Sequence, residues 1–228
     1  MKTPRSRLAF WGVASLSPLA MLVSTPAWSE AAQPGTPLVA EQKIAMCIGC
    51  HGIPGYQASF PEIHKVPMIS GQSAKYIASA LHAYQKGDRK HPTMKGIAAS
   101  LTDRDIADVA AYYEASGRGL PRKEAAHNSA PSAEVTALLT KGNCYSCHGQ
   151  NLNSPIDASY PKLAGQHADY LYVALKAYQT VNNPQIGRSN PIMGGQAKLF
   201  TLAELKLLAN YIEGLGGDLK TVPQSKFK

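Results

Sequence analysis

A five-residue segment, Cys47-Ile48-Gly49-Cys50-His51, returns later in the chain as Cys144-Tyr145-Ser146-Cys147-His148, and together the two segments use all four cysteines. The spacing Cys-x-x-Cys-His is the attachment signature of c-type haem. On one turn of helix the two cysteines and the histidine point to the same side. The two sulfurs can then bond the vinyl groups of one porphyrin while the histidine reaches its iron. The sequence therefore predicts two covalent haems, held by Cys47, Cys50, Cys144 and Cys147, with His51 and His148 as axial ligands.

Other chemistry is possible for paired cysteines. Two Cys-x-x-Cys pairs can hold one zinc ion, form two tight disulfides or act as a thioredoxin-like redox pair. A disulfide or a redox pair does not require a histidine after the second cysteine, and that histidine is present twice. A zinc site built from four cysteines would leave both histidines unused. Haem attachment is the interpretation that uses every residue of both motifs.

The first 29 residues are typical of a secretory signal peptide. A basic start precedes an apolar stretch at 8–23, and Ala27-Trp28-Ser29 forms a small-x-small cleavage site. An uncleaved membrane anchor is the alternative, but the apolar stretch is short for a span and contains Pro18. We therefore expect a signal peptide at 1–29 and a periplasmic protein, since haem would then be attached outside the cytoplasm.

The charge balance limits the classes of partner. The whole chain has a net charge of +8. Removal of 1–29 would take away three basic residues and no acidic ones, which leaves about +5. Such a diffuse charge does not predict nucleic-acid binding. It fits acidic patches on partner proteins or anionic lipid head groups, and no second apolar stretch is long enough to cross a bilayer.

The second half of the chain repeats the first well beyond the haem motifs. The offset between matched residues lies between 94 and 99 positions, so small insertions separate the copies. One insertion follows His51 and the other follows Tyr178. The repeat predicts a first domain at 36–117, a linker at 118–133 that is rich in Pro, Gly, Ala and Ser, and a second domain at 134–223.

Both copies are predicted to be helical. Apolar residues recur at i, i+3, i+4 and i+7 in the four segments 77–84, 106–113, 171–178 and 205–212. The pairs Thr102/Asp105 and Thr201/Glu204 have the spacing of a capping box that begins a helix. No segment shows a convincing strand alternation. The fold class predicted from these patterns is all-α, with loops between the helices.

The sixth ligand of each iron is predicted to be a methionine. Met94 and Met193 occupy matched Pro-x-Met segments, where a loop could return over the far face of the haem. A thioether favours ferrous iron, raises the reduction potential and closes the iron to substrates. Two alternatives stay open: both methionines could be packing residues, or His64 or His91 could replace one of them, although loop histidines are usually solvated.

Four matched pairs of residues are predicted to line the haem pockets. The pairs are Pro67 with Pro161, Ile69 with Leu163, Tyr76 with Tyr170, and Arg89 with Arg188. The proline carbonyls would accept the Nδ1 proton of the axial histidines, which fixes ring orientation and ligand basicity, or they would only rigidify a turn. The apolar pair would pack on the porphyrin. The tyrosines and arginines are candidates to bind haem propionates, with solvated arginines as the alternative.

This ordered set of motifs resembles the diheme cytochromes of the cytochrome c4 type. The haem motif, the Pro-x-(Leu/Ile)-x-Gly-Gln segment, the Pro-x-Met segment and the last helix, around Tyr112 and Tyr211, carry the resemblance in both copies. It implies two tandem class I cytochrome c domains packed about a pseudo-twofold axis, with the propionates near their interface. It also implies a periplasmic electron carrier, sometimes membrane-associated, that serves terminal oxidases or other redox enzymes.

Three functions are compatible with this pattern. The first is a soluble or peripheral electron carrier, and the second is the cytochrome subunit of a periplasmic dehydrogenase. The longer loop after the first haem motif, at 52–64, could then be a docking element. The third is an enzyme, either a diheme peroxidase or a thiosulfate-oxidising cytochrome. A peroxidase needs an accessible iron and a thiosulfate-type site often uses a cysteine ligand, so filled methionine positions and the lack of a spare cysteine disfavour the third.

Overall fold

The computed structural model describes residues 43–126 and 130–223. The signal peptide predicted at 1–29 and the predicted start of the first domain at 36 lie outside these residues, as do three residues of the predicted linker. In the described ranges, no helix combines the length and the apolar character that crossing a membrane requires.

Residues 43–115 contain the first copy of the repeat. Its elements are α1 (Ala45–His51), β1 (Gln57–Ala58), β2 (His64–Lys65), α2 (Ala74–Lys86), β3 (Arg89–Lys90), α3 (Pro92–Ala99) and α4 (Asp103–Ala115). β1 and β2 form an antiparallel hairpin in which Gln57 lies opposite Lys65. This hairpin occupies the longer loop that follows the first haem motif.

Residues 132–216 contain the second copy. Its elements are α5 (Ala133–Lys141), α6 (Cys144–His148), α7 (Ala168–Gln179), β4 (Gly187–Arg188), α8 (Pro191–Ala197) and α9 (Leu202–Glu213). The four segments with helical periodicity fall inside α2, α4, α7 and α9, and the strands within the described ranges are only two residues long. The all-α prediction is therefore confirmed.

Each copy has an apolar core built from the same pair of helices. α2 packs on α4 and α7 packs on α9. Ile77 and Leu81 of the first copy meet Ile106, and Leu171 of the second meets Leu205. Because the apolar residues recur every three or four positions, each helix buries one continuous face. These helix pairs form the apolar wall against which each haem motif lies.

A capping box begins α4 and α9, as the sequence predicted. The Thr102 hydroxyl accepts from the Asp105 amide at 3.2 Å, and an Asp105 carboxylate oxygen accepts from the Thr102 amide at 3.0 Å. Thr201 and Glu204 repeat both bonds. The bond from the Thr102 backbone and the nearby Lys43 ammonium lower the pKa of Asp105 to about 2. The carboxylate is therefore ionised at neutral pH and keeps its capping role.

Removal of one cap should have a measurable cost. Thr102→Ala is expected to lower the free energy of unfolding by about 1 kcal/mol, because the Asp105 amide loses its acceptor at the start of the helix. Urea unfolding measures this change. Thr136 is exposed inside α5, so Thr136→Ala is a matched control with an expected change within about 0.5 kcal/mol. Equal losses in both variants would contradict the capping role.

The two copies meet at equivalent residues. β3 and β4 pair antiparallel with Arg89 opposite Arg188, the same two residues that the repeat matches. The longer loop of the first copy also packs on the second copy, since Lys65 N–H donates to an Asp169 carboxylate oxygen at 3.0 Å. Glu62 forms an ion pair with Lys176 at 2.9 Å. These contacts attach the loop to the face of α7.

Candidate haem sites

The two haem motifs lie on separate short helices, α1 and α6. No disulfide bond joins any of the four cysteines, so the disulfide alternative that the sequence left open is not formed. Across residues 43–126 and 130–223, no group of three or more His, Cys, Asp or Glu side chains is placed to hold a metal ion. A single zinc site built from both cysteine pairs therefore does not form in this fold.

The first cysteine of each motif has a raised pKa. Burial raises the pKa of Cys47 to about 11, and burial also raises the pKa of Cys144. A redox-active thiol needs a lowered pKa because the thiolate is the reactive form. In the polypeptide before haem attachment these two sulfurs lack the lowered pKa of a redox-active thiol, so the structure does not support a thioredoxin-like role for them.

The histidine of each motif is held by a proline carbonyl. Nδ1 of His51 donates to the Pro67 carbonyl at 2.9 Å, and Nδ1 of His148 donates to the Pro161 carbonyl at 2.9 Å. Burial lowers the pKa of both histidines, which favours the neutral ring that a metal requires. The predicted contacts are confirmed. They leave Nε2 as the free lone pair of each ring, and its ligation of iron stays a prediction.

The second copy contains a cavity of about 340 Å³ beside its haem motif. Its lining includes Cys144, Cys147, His148, Leu163 and Met193. Much of the remaining wall is apolar and comes from α7 and α9, including Leu171 and Leu205. Two thiols, one imidazole and one thioether around an apolar space are the groups that a c-type haem requires. The residues of this site fit the predicted cofactor.

The first copy gathers the equivalent residues. Cys47, Ile69 and Met94 pack against the apolar cluster formed by α2 and α4. Ile69 is the counterpart of Leu163, and Met94 is the counterpart of Met193. In the first copy a motif cysteine, an apolar residue and a methionine therefore meet the equivalent pair of helices, and the roles of these residues toward a haem stay predictions.

Both methionines stand in the first turn of a short helix rather than in a loop. Pro92 is the first residue of α3 and Pro191 the first of α8, where proline has a favourable backbone angle. The preceding residues act as N-caps: His91 Nδ1 accepts from the Met94 amide at 3.4 Å, and Asn190 Oδ1 accepts from the Met193 amide at 2.9 Å. The loop expected from the sequence is therefore replaced by a capped turn of helix.

The two histidines considered as alternative ligands have other partners. His91 uses both ring nitrogens, since Nδ1 accepts from Met94 and Nε2 donates to the Phe60 carbonyl at 3.2 Å. His64 is buried, donates from Nδ1 to the Glu62 carbonyl at 2.8 Å, and lies against the Tyr170 ring. The expectation that such loop histidines are solvated was wrong for His64, because its loop packs on the second copy.

The matched tyrosines and arginines form one cluster where the copies meet. Arg89 donates to the Tyr76 hydroxyl at 2.9 Å, and Arg188 donates to the Tyr170 hydroxyl at 3.1 Å. The arginine–carboxylate pairs among the described residues belong to Arg104, Arg118 and Arg122. Among the described residues neither guanidinium has a carboxylate partner, and a facing, partly buried pair of this kind fits the propionates of two haems. Because each arginine is hydrogen-bonded to a tyrosine, neither is a lone solvated group on the surface. Binding of the propionates stays a prediction.

Sequence reasoning missed the contribution of a second tyrosine pair. The Arg89 guanidinium lies 5.8 Å from the centre of the Tyr84 ring, and that of Arg188 lies 5.4 Å from the centre of the Tyr178 ring. Both tyrosines were assigned only to the apolar faces of their helices. Their exact match in the repeat was the available signal, because a polar hydroxyl at the same place in both copies indicates a shared partner.

Comparison with known proteins gives a consistent result. The cytochrome c family model matches residues 39–115 and 132–216, and each range contains one haem motif. The chain is 27% identical to cytochrome c4 of Pseudomonas aeruginosa over 190 residues, which cover 79% of this chain and 89% of that protein. It is 30% identical to a thiosulfate dehydrogenase electron acceptor of Stutzerimonas stutzeri over 179 residues, 75% and 79% of the two chains. The crystal structure of reduced recombinant cytochrome c4 from Pseudomonas stutzeri matches with a TM-score of 0.58 at 26% identity, covering 79% of this chain and 99% of that chain.

Proposed function

Because this chain belongs to the cytochrome c family and is a diheme protein of the cytochrome c4 type, we propose that it carries electrons in the periplasm between a respiratory or dehydrogenase partner and a terminal acceptor. Two haem c groups are attached covalently, one to Cys47 and Cys50 and one to Cys144 and Cys147. The haems supply iron that gains and loses one electron at a time. Export would depend on the segment at 1–29.

The observation that carries the proposal is that each copy brings its haem motif and one methionine to the same apolar wall. His51 and His148 are oriented by proline carbonyls. Met193 lines the same cavity as His148, and Met94 packs on the equivalent cluster. Two strong axial ligands leave no open iron position for a substrate. In this role the chain breaks no substrate bond and is not an enzyme by itself.

The arginine and tyrosine cluster supports transfer between the two haems. Arg89 and Arg188 lie opposite each other in β3 and β4. The propionates of the two haems, one haem in each copy, would therefore meet at this pair of arginines. Tyr76 and Arg89 of the first copy also line the cavity of the second. We infer that the propionate edges of the two haems face each other at this cluster, which gives electrons a short path through the protein.

A partner has access to the second haem site from the surface. Ile192 lines the cavity and is 57% exposed, so an apolar side chain lies at the opening. The net positive charge would steer the chain to an acidic docking site or to anionic membrane lipids. Electron transfer with a soluble partner should therefore slow as ionic strength rises. Partners of this kind include a terminal oxidase and a periplasmic dehydrogenase.

A second candidate is a dedicated electron acceptor or cytochrome subunit of a periplasmic dehydrogenase. The 30% identity to a thiosulfate dehydrogenase electron acceptor favours it. The longer loop of the first copy supplies a contact surface, since Ile53, Tyr56 and Ile63 are exposed on it while Glu62 is paired with the second copy. Three exposed apolar side chains on one anchored loop are compatible with a protein partner.

Two experiments test these proposals. In the first, the purified diheme protein is mixed with thiosulfate or peroxide alone, and then with thiosulfate and a thiosulfate dehydrogenase. A carrier is reduced only when the dehydrogenase is present, whereas turnover of either compound by the chain alone would contradict the carrier proposal. In the second, the tagged chain is isolated from native periplasm. Recovery of a stoichiometric large dehydrogenase supports the subunit role, and recovery of the chain alone supports a free carrier.

A further inference from the structure

Two buried glutamines connect the copies. Gln72 and Gln166 end the matched segments at 67–72 and 161–166, and each is only 4% exposed. Each side chain accepts a hydrogen bond within its own copy and also bonds to the backbone of the other copy. Its partner there is the residue that follows the histidine-binding proline.

The contacts are reciprocal and use both ends of each amide. Gln166 Oε1 accepts from the Met68 N–H at 3.0 Å, and its Nε2 donates to the Met68 carbonyl at 2.9 Å. Gln72 Oε1 accepts from the Lys162 N–H at 3.0 Å, and its Nε2 donates to the Lys162 carbonyl at 3.0 Å. The two pairs of hydrogen bonds between the copies therefore join residues that the repeat matches, Gln72 with Gln166 and Met68 with Lys162.

The orientation of each glutamine amide is fixed by a further donor. Gln72 Oε1 also accepts from the Ser73 N–H, and Gln166 Oε1 also accepts from the His167 N–H, both at 3.0 Å. A flipped amide would place its NH2 group against two N–H donors. The oxygen must therefore face the backbone amide of the other copy.

These contacts share a peptide group with the axial histidines. The Pro67 carbonyl, which accepts from His51, belongs to the same peptide as the Met68 N–H that donates to Gln166. The Pro161 carbonyl, which accepts from His148, belongs to the same peptide as the Lys162 N–H that donates to Gln72. A peptide whose N–H is hydrogen-bonded has a more polarised carbonyl, which is a stronger acceptor.

We propose that Gln72 and Gln166 are crossed positioning residues, in which the glutamine of each copy sets the ligand strength of the axial histidine in the other copy. This inference rests on the proposed ligation of iron by His51 and His148. A stronger acceptor at Nδ1–H makes the imidazole more electron-rich and stabilises ferric iron. Gln72 thus lowers the reduction potential of the haem at His148, and Gln166 lowers that of the haem at His51.

The test is the reduction potential of each haem in two single variants. Gln72→Leu should raise the potential of the haem at His148, with a roughly 3- to 10-fold change in its reduction equilibrium constant, which is at or below the low end of outer-shell effects on metal sites because the glutamine acts through a peptide group. The haem at His51 should keep its potential, and Gln166→Leu should give the reverse pattern. A redox titration followed by NMR resolves the two haems by their methyl signals. The Nδ1 proton of the affected histidine should also exchange faster with solvent.

A matched control separates this role from general support of the interface. The Ser73 hydroxyl donates across the copies to the Ala158 carbonyl at 2.6 Å, and replacing it by alanine keeps the Ser73 N–H that donates to Gln72. Ser73→Ala should therefore leave both potentials unchanged. Gln72→Met and Gln166→Met keep the volume of the side chain and replace the leucine variants if those do not fold.

The inference is overturned if a glutamine variant shifts the haem of its own copy, shifts both haems equally, or shifts neither. A spectrum of the wild-type protein distinguishes failure of the glutamine hypothesis from failure of the proposed function. If the wild type lacks histidine and methionine ligation, the proposed function itself is wrong. If the wild type has that ligation and the crossed shifts are absent, only the role of the glutamines is wrong.

Discussion

The Met193→Ala variant is expected to have one high-spin and one low-spin haem. Loss of the thioether opens the sixth position of the iron in the second copy, and a water molecule is a weaker, harder ligand than sulfur. The reduction potential of that haem should fall by more than about 0.1 V, a fraction of the range of about 0.8 V that axial ligands span. Optical and electron paramagnetic resonance spectra report the spin state, and potentiometry reports the shift.

The other methionines provide the comparison. Met94→Ala should change the haem of the first copy in the same way, because Met94 packs on a separate core cluster. Met68 is 8% exposed and buried in the first copy, but it has no counterpart in the repeat. Met68→Leu should therefore leave both haems low-spin. The ligand assignment is wrong if the Met94 and Met193 variants both keep the wild-type spectrum.

The double variant Cys144→Ser/Cys147→Ser is expected to hold one covalent haem per chain instead of two. Without thioether bonds, the cavity of about 340 Å³ beside α6 loses the group that completes the second core. The second copy should then unfold at a lower denaturant concentration, since a large apolar space without its occupant is destabilising. The ratio of haem to protein, from the alkaline pyridine spectrum, measures the first effect, and urea unfolding measures the second.

Two further variants define the specificity of that result. Cys47→Ser/Cys50→Ser should remove only the other haem. Ser146 lies between the two cysteines of α6 and is exposed, so Ser146→Ala should keep both haems. Retention of two covalent haems in either double variant would contradict attachment through these cysteines.

The sequence was sufficient for the features that depend on local pattern. The helical periodicity placed α2, α4, α7 and α9, and the spacing of Thr102 and Asp105 placed a capping box. The hydrogen bonds from His51 and His148 to proline carbonyls were also predicted, because a matched proline follows the haem motif in both copies. Duplication made each of these predictions stronger, since the same pattern had to hold twice.

Contacts between the two copies could not be predicted from local sequence patterns. His64 is buried because its loop packs on residues about a hundred positions away, and no local pattern in 52–64 indicates that. The Gln72 side chain likewise crosses to Lys162 in the other copy, a contact that no local pattern indicates. The Pro-x-Met segment was expected to be a loop, but His91 and Asn190 cap a helix that begins at the proline, and the Pro-x-Met spacing alone does not indicate that cap.

The most direct test of the account is a haem-quantified optical spectrum of the purified wild-type protein, oxidised and reduced. We expect two haems per chain, both low-spin, with methionine-to-iron charge-transfer absorption from each in the oxidised state. That result would establish an electron carrier whose irons are closed to substrates. A single haem, or a high-spin signal from either haem without any mutation, would contradict it.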